Sequence, residues 1–281
     1  MSGGEERIES GVERRPWERR TDATCPVDPQ RKAWIESKMI WLRDQFGVEA
    51  ARGQIALPGR ALYPADYQGT PEQITDLIDR IERVMGIDPD RLTLELFDST
   101  AEKAANAKKL SSRAGTRHAV GHYRVRDGRE YIEVDLAEAG DPAVLTAIVA
   151  HEIAHARLLG EKRYSAKNED NERLTDLTSL FLGMGVFAAN ASIRFKKKVH
   201  GWSVEPLGDL SERMLMGQGD FEYSHLGYLE EPDYDYALGC LCGLRRETDP
   251  AWATALDPSV RVMLRRTLAF FKAAAEAPRR T

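Results

Sequence analysis

The run AVLTAIVAHEIAHARLLG, residues 143–160, constrains this chain more than any other stretch. Apolar residues recur all round it, so it reads as a helix buried on most sides. Asp141 and Pro142 open it as cap and first helical residue, and Gly160 stands past its end. Yet the run carries His151, Glu152 and His155. A polar side chain in a core must be hydrogen-bonded, paired or metal-bound to sit there at tolerable cost. Two core histidines satisfied by backbone carbonyls, with a glutamate between them, would need several separate partners in one dry place.

On a helix, positions i and i+4 lie one above the other, so the rings of His151 and His155 can meet one ion. This is the HExxH arrangement of zinc hydrolases, with Glu152 beside the ion, able to reach a water without being a ligand. Catalytic zinc takes three protein ligands and leaves a fourth position open, so another ligand must come from elsewhere. NERLTD, residues 171–176, offers Glu172, which follows His155 by 17 residues, and Asp176 one turn further along. If its helix packs antiparallel to the first, Glu172 faces the histidines and Asp176 accepts a hydrogen bond from a ligand imidazole. Thr175, Ser179 and Gly183 share that face, which suggests small residues where the two helices approach. Glu161 is a minor ligand candidate. Acidic residues spaced i, i+4 near a helix start also occur for the dipole's sake alone.

The rest of the chain frames this pair of helices. Residues 1–29 are charged, poor in aliphatics and interrupted by Pro16, Pro26 and Pro29, and read as a flexible tail with order beginning near Arg31. RKAWIESKMIWLRDQFG spaces Trp34, Met39, Trp41, Leu42 and Phe46 as a helical stripe. A second helix is expected after the cap Thr70 and Pro71, with Ile74, Leu77, Ile78, Ile81 and Met85 inward. RLTLELFD alternates as a strand, and two further strand-like runs flank Asp127-Gly128, a hairpin signal. His118 and His122 fall on such a strand, where i and i+4 stand more than about 10 Å apart, and are not expected to share a metal. Helical patterns return at 232–246 and 258–276 after a loop-rich stretch from 191 to 228. The expected class is α+β, with a small mixed sheet, residues 30–190 forming the main domain and a mainly helical part over 191–281.

Composition excludes other readings. With 281 residues, 42% apolar and 30% charged, the chain has the make-up of a soluble globular protein. No stretch approaches an apolar membrane span, no secretory signal opens the chain, and the three cysteines Cys25, Cys240 and Cys242 suit a reducing compartment, so the expected place is cytoplasmic. The net charge of −5 comes from intermixed signs, and neither nucleic acid nor membrane is an expected partner. The short basic run RFKKK reads as a solvated edge.

HExxH followed by NExxTD resembles the gluzincins, the thermolysin-like zinc peptidases, whose pattern is HExxH then NExxSD; Thr175 takes the serine place. The short interval between ligands is also similar to that of compact groups such as the ImmA/IrrE-like peptidases. The metzincin pattern is not met, since Leu158 and Glu161 stand where it needs glycine and histidine. The gluzincin resemblance implies a zincin-like domain with an active-site helix, an edge strand for extended substrate at EYIEVDLA, and hydrolysis of a peptide or protein substrate. It implies Zn2+ held by His151, His155 and Glu172, Asp176 behind a ligand, and Glu152 taking a proton from a zinc-activated water. It further implies a hydrogen-bond donor for the oxyanion downstream, where Tyr223, His225, Tyr228, Tyr234 and Tyr236 lie and His225 and Tyr228 are favoured. A catalytically inactive binding or sensing module with structural zinc is the alternative.

Overall fold

The structure, a computed structural model, describes residues 24–98, 121–136, 139–199 and 228–276. Within them helices pack together and against a small mixed sheet, an α+β arrangement. Helix α1 (Pro29–Phe46) starts at Asp28, whose side chain accepts from the Gln30 and Arg31 amides, and it turns Ile35, Met39 and Leu42 inward. Trp34, Trp41 and Phe46 pack partly buried against the same core. The tail expected over residues 1–29 is therefore too long at its C-terminal end. Val27 is buried and Cys25 rests on the core, because an apolar side chain just ahead of a capped helix can dock beside it despite its polar neighbours.

Helix α2 (Pro71–Met85) has a full capping box between Thr70 and Gln73, and stops at Gly86 in the left-handed conformation. Strands β1 (Leu92–Phe97), β2 (Gly121–Arg126) and β3 (Arg129–Asp135) form a sheet in the order β1-β3-β2, with β1 parallel and β2 antiparallel to β3. Asp127 and Gly128 both take positive φ, 51° and 77°, as a type I′ hairpin turn requires.

The EYIEVDLA segment is therefore not an edge. Among the described residues it forms the central strand, and β2 is the edge beside the metal-motif helix. Ile132 and Val134 are buried on β3 and have β1 partners Leu94 and Leu96 on one side, so the central place gives this apolar strand neighbours in both directions.

Helix α3 (Pro142–His155) is capped by Asp141 and runs on through a π-helical turn, Ala156–Gly160. Helix α4 (Asn171–Ser179) passes through a second π-helical stretch, Leu180–Met184, into α5 (Gly185–Val199); α6 (Glu231–Arg245) and α7 (Pro258–Glu276) follow. α3 packs against α2, α4, α5 and the β2–β3 hairpin, and α6 against α1, α5 and α7.

Gly183 does not serve the α3–α4 approach as its spacing suggested. It sits at a kink with φ 98°, its carbonyl accepts from the Ala56 amide, and an added Cβ would run into the Gln54 carbonyl oxygen. The kink shifts the helical phase, so Gly183 faces the 54–56 segment. The expected loop from 191 is helical up to Val199. His118, His200, Tyr223 and His225 lie outside the described residues.

Two helical stretches, Pro142–Gly160 and Asn171–Ser192, are long and apolar enough to cross a membrane by length and composition, contrary to the sequence expectation. They are 56% and 100% buried within the protein. Their apolar surface forms the core.

Candidate metal centre

His151 and His155 project from the last turn of α3 with their rings edge-on, centroids 4.8 Å apart. The buried positions Leu145, Val149 and Ile153 hold this helix in the core, which fixes the direction of the two rings. Glu172 comes from the first turn of α4. Its helix start is held by Asp170, whose carboxylate accepts from Trp34 Nε1 at 3.0 Å and from the Tyr164 hydroxyl, and pairs with Lys38 at 2.8 Å. Burial works against Asp170 ionising, but these donors take its pKa down to about 2.

Glu172 Oε2 lies 3.3 Å from His151 Nε2 and 3.3 Å from His155 Nε2, and one ligand atom from each residue lies within 4.8 Å of the others. The far side of each ring decides what these contacts mean. His151 Nδ1 is 2.8 Å from Asp176 Oδ1, an acceptor only, so Nδ1 carries the proton. The Thr175 hydroxyl donates to the Asn171 carbonyl at 2.9 Å, so towards His155 Nδ1, 3.3 Å away, its oxygen accepts. With each Nδ1 turned to its acceptor, both Nε2 atoms point at one carboxylate oxygen, and in the ligating form each would aim a lone pair there. Three acceptors converging on a point require a cation there, a proton or a metal ion.

The set fits zinc. Tetrahedral ligands at about 2.0–2.1 Å from zinc stand about 3.3–3.4 Å apart, the separation of Glu172 Oε2 from each imidazole, while the three atoms together span up to 4.8 Å, so the two rings would draw together on an ion. Two imidazoles with one carboxylate are also a donor set that zinc accepts with a position to spare. With protons alone in the site, burial opposes a charged His151, yet Asp176 and Glu172 raise its pKa to about 10. Burial likewise opposes the Glu172 charge, but the two imidazoles hold its carboxyl far below the usual carboxylate range.

Asp176 is deeply satisfied. Besides the His151 ring, its Oδ2 accepts from the Tyr228 amide and from the Leu229 amide at 3.0 Å, and the Tyr234 hydroxyl bonds to the same carboxylate. It thereby ties the ligand helix to the chain entering α6. Glu152 lies beside the cluster with its Oε2 2.6 Å from the Tyr123 amide of β2. Burial raises the Glu152 pKa, opposed by the neighbouring histidines and that amide.

Two tyrosines flank the histidine pair. Tyr228, 52% exposed, stacks on His151 with centroids 5.9 Å apart and planes 24° apart. Tyr123 stacks on His155 at 6.4 Å and 17°.

Of the residues singled out in the sequence, His151, Glu152, His155, Glu172, Asp176 and Tyr228 come together. Glu161 does not join them, because Arg91, Arg157 and Arg163 hold its carboxylate. His122 lies on β2, outside the ligand group but near enough to Glu152 to favour that carboxylate's charged form. Sequence reasoning missed Tyr123, and gave neither Thr175 an orienting role nor Tyr234 a bond to Asp176. No spacing rule links a strand tyrosine to a helix motif, so nothing in the chain marked Tyr123. Compared with protein families, with curated proteins and with solved structures, the chain matches none.

Proposed function

We propose that this chain is a zinc-dependent metallopeptidase, gluzincin-like in its ligand pattern and zincin-like in its domain. The observation that carries the reading is the convergence of the His151 and His155 Nε2 atoms and the Glu172 carboxylate beside a second carboxylate, Glu152, that stands outside this group. His151, His155 and Glu172 would hold the ion, with Asp176 and Thr175 orienting the rings. When bound, zinc supplies a Lewis acid that polarises a carbonyl and lowers the pKa of water from 15.7 toward about 7.

The remaining work falls to the protein's own groups. Glu152 keeps one oxygen on the Tyr123 amide, which leaves Oε1 to take a proton and later return it to a leaving amine. A carboxyl raised by burial suits that two-way role near neutral pH. The Tyr228 ring stands over His151, where its hydroxyl can donate to an oxyanion, a contribution of about 3 kcal/mol for a well-placed donor. Edge strand β2, next to Glu152, is the strand to which an extended peptide can add.

Elemental analysis of protein purified without added metal tests the first half of the reading, with one zinc per chain expected. Cleavage of a peptide library tests the second: Glu152→Gln should retain zinc and lose hydrolysis. Wild-type rates in that variant would remove Glu152 from the mechanism.

A further inference from the structure

Tyr123 touches the candidate site through its backbone and its ring, and is anchored outside it through its hydroxyl. Its amide donates to Glu152 Oε2 at 2.6 Å, its ring stacks on His155, and its hydroxyl donates to Glu130 Oε1 at 2.6 Å. Glu130 is in turn gripped by Arg91, through Nη2 at 2.9 Å and through Nε. The same Arg91 donates to the Ala156 carbonyl at 3.1 Å, directly after His155, and to Glu161 at 2.8 Å. The π-helical turn closes down on this network at Gly160, where an added Cβ would collide with Glu130, Arg91 and the Tyr123 hydroxyl. A charged pair and a phenol thus brace the edge strand against the end of the metal-motif helix.

We infer that Tyr123 is a positioning residue for the proposed reaction, holding the Glu152 carboxylate and the His155 ring in register, with Glu130 and Arg91 as its anchor. The inference rests on the zinc-peptidase reading. Glu152 and His155 lie three residues apart on a helix that packs on β2, so a small shift of the strand would move the carboxylate relative to the ligand ring. A hydroxyl tied to a charged, doubly held carboxylate resists that shift, as charge-assisted hydrogen bonds exceed neutral ones in strength. Gly160 fits the same purpose, since only a residue without a side chain lets the helix end sit against the brace.

The test uses Tyr123→Phe, which keeps ring and amide and removes only the bond to Glu130, with Glu130→Ala and Glu130→Gln alongside. Each is measured by zinc content, by hydrolysis of one quenched fluorescent peptide chosen from a library, and by the visible spectrum of the cobalt(II) form. Tyr123→Phe and Glu130→Ala are expected to retain one zinc per chain, to lose about 10- to 100-fold in kcat with KM little changed, and to shift the cobalt band. Glu130→Gln keeps an acceptor and should recover part of the loss. An unchanged kcat and cobalt band in Tyr123→Phe, in a wild type that binds zinc and cleaves the peptide, overturns the positioning role and leaves the peptidase reading standing. A wild type that binds no zinc, or cleaves nothing that Glu152→Gln fails to cleave, ends both.

Discussion

His151 donates from Nδ1 to Asp176 Oδ1 over 2.8 Å, so one carboxylate buried behind the site sets the tautomer of a ring whose other nitrogen faces Glu172. The same carboxylate collects the Tyr228 and Leu229 amides from a segment more than fifty positions away. Ring orientation and the docking of that segment are therefore one event.

Removing this acceptor should show in two measurements. Asp176→Ala leaves a ring N–H, two amides and the Tyr234 hydroxyl without this partner, and we expect about 3 kcal/mol of lost stability in urea denaturation. Zinc affinity, measured by chelator competition, should fall about 10- to 100-fold, as for other losses of a carboxylate behind a ligand histidine. An affinity equal to wild type would mean that the ring holds its orientation without Asp176.

Metal loading should expel a proton. Without metal, His151 is lifted to about 10 and is charged at pH 7, whereas ligation needs the neutral ring. Calorimetric titration with zinc in two buffers of different ionisation enthalpy should reveal at least about one proton released per ion, and affinity should rise with pH up to about 10. Stripping the metal with a chelator should lower the melting temperature; free zinc at 100 times its Kd stabilises by about 2.7 kcal/mol.

Glu82 should make stability fall as pH rises. Burial, with Asp79 and Asp88 nearby, raises its pKa from 4.5 to about 7. A raised carboxyl pKa leaves the native state unpenalised below about pH 4.5, where both states are protonated. The penalty grows through the window from 4.5 to about 7 and is full above it. We expect Glu82→Gln to lack that fall and to exceed wild type by about 2–3 kcal/mol at pH 8. Urea midpoints at pH 4.5 and pH 8 check it; equal pH dependence in the two proteins would sink the assignment.

Two glycines should respond in opposite directions to alanine. At Gly183, φ 98° and the Gln54 carbonyl oppose a side chain, so Gly183→Ala should cost about 2–4 kcal/mol. Gly243 is exposed on α6 with nothing within 4 Å of an added Cβ. Gly243→Ala should gain about 0.5–1 kcal/mol. Melting temperatures of the two variants decide between a strained kink and an ordinary helix.

Much of this centre is legible in the sequence. Spacing i, i+4 placed His151 and His155 together, and the interval to NERLTD matched a return that sets Glu172 against them and Asp176 behind. Caps at Thr70 and Asp141 and the turn at Asp127-Gly128 are local choices of backbone conformation, so they read directly. The edge assignment of EYIEVDLA did not survive, since alternation tells which face of a strand is buried and not which strands lie beside it. The missing loop from 191 to 199 reflects the same limit, as the basic residues there hid a helix that continues from an apolar one.

By itself the amino-acid sequence determined the elements and the residues able to form a metal site, because periodicity, capping and ligand spacing act within a few residues along the chain. Tertiary structure decided what surrounds that site: β2 as the edge, Tyr123 clamped between Glu152, His155 and Glu130, Thr175 at the back of His155, and Gly183 turned to residues 54–56. These depend on how distant segments divide the limited space around a buried helix, and many sequences with the same local pattern could divide it differently.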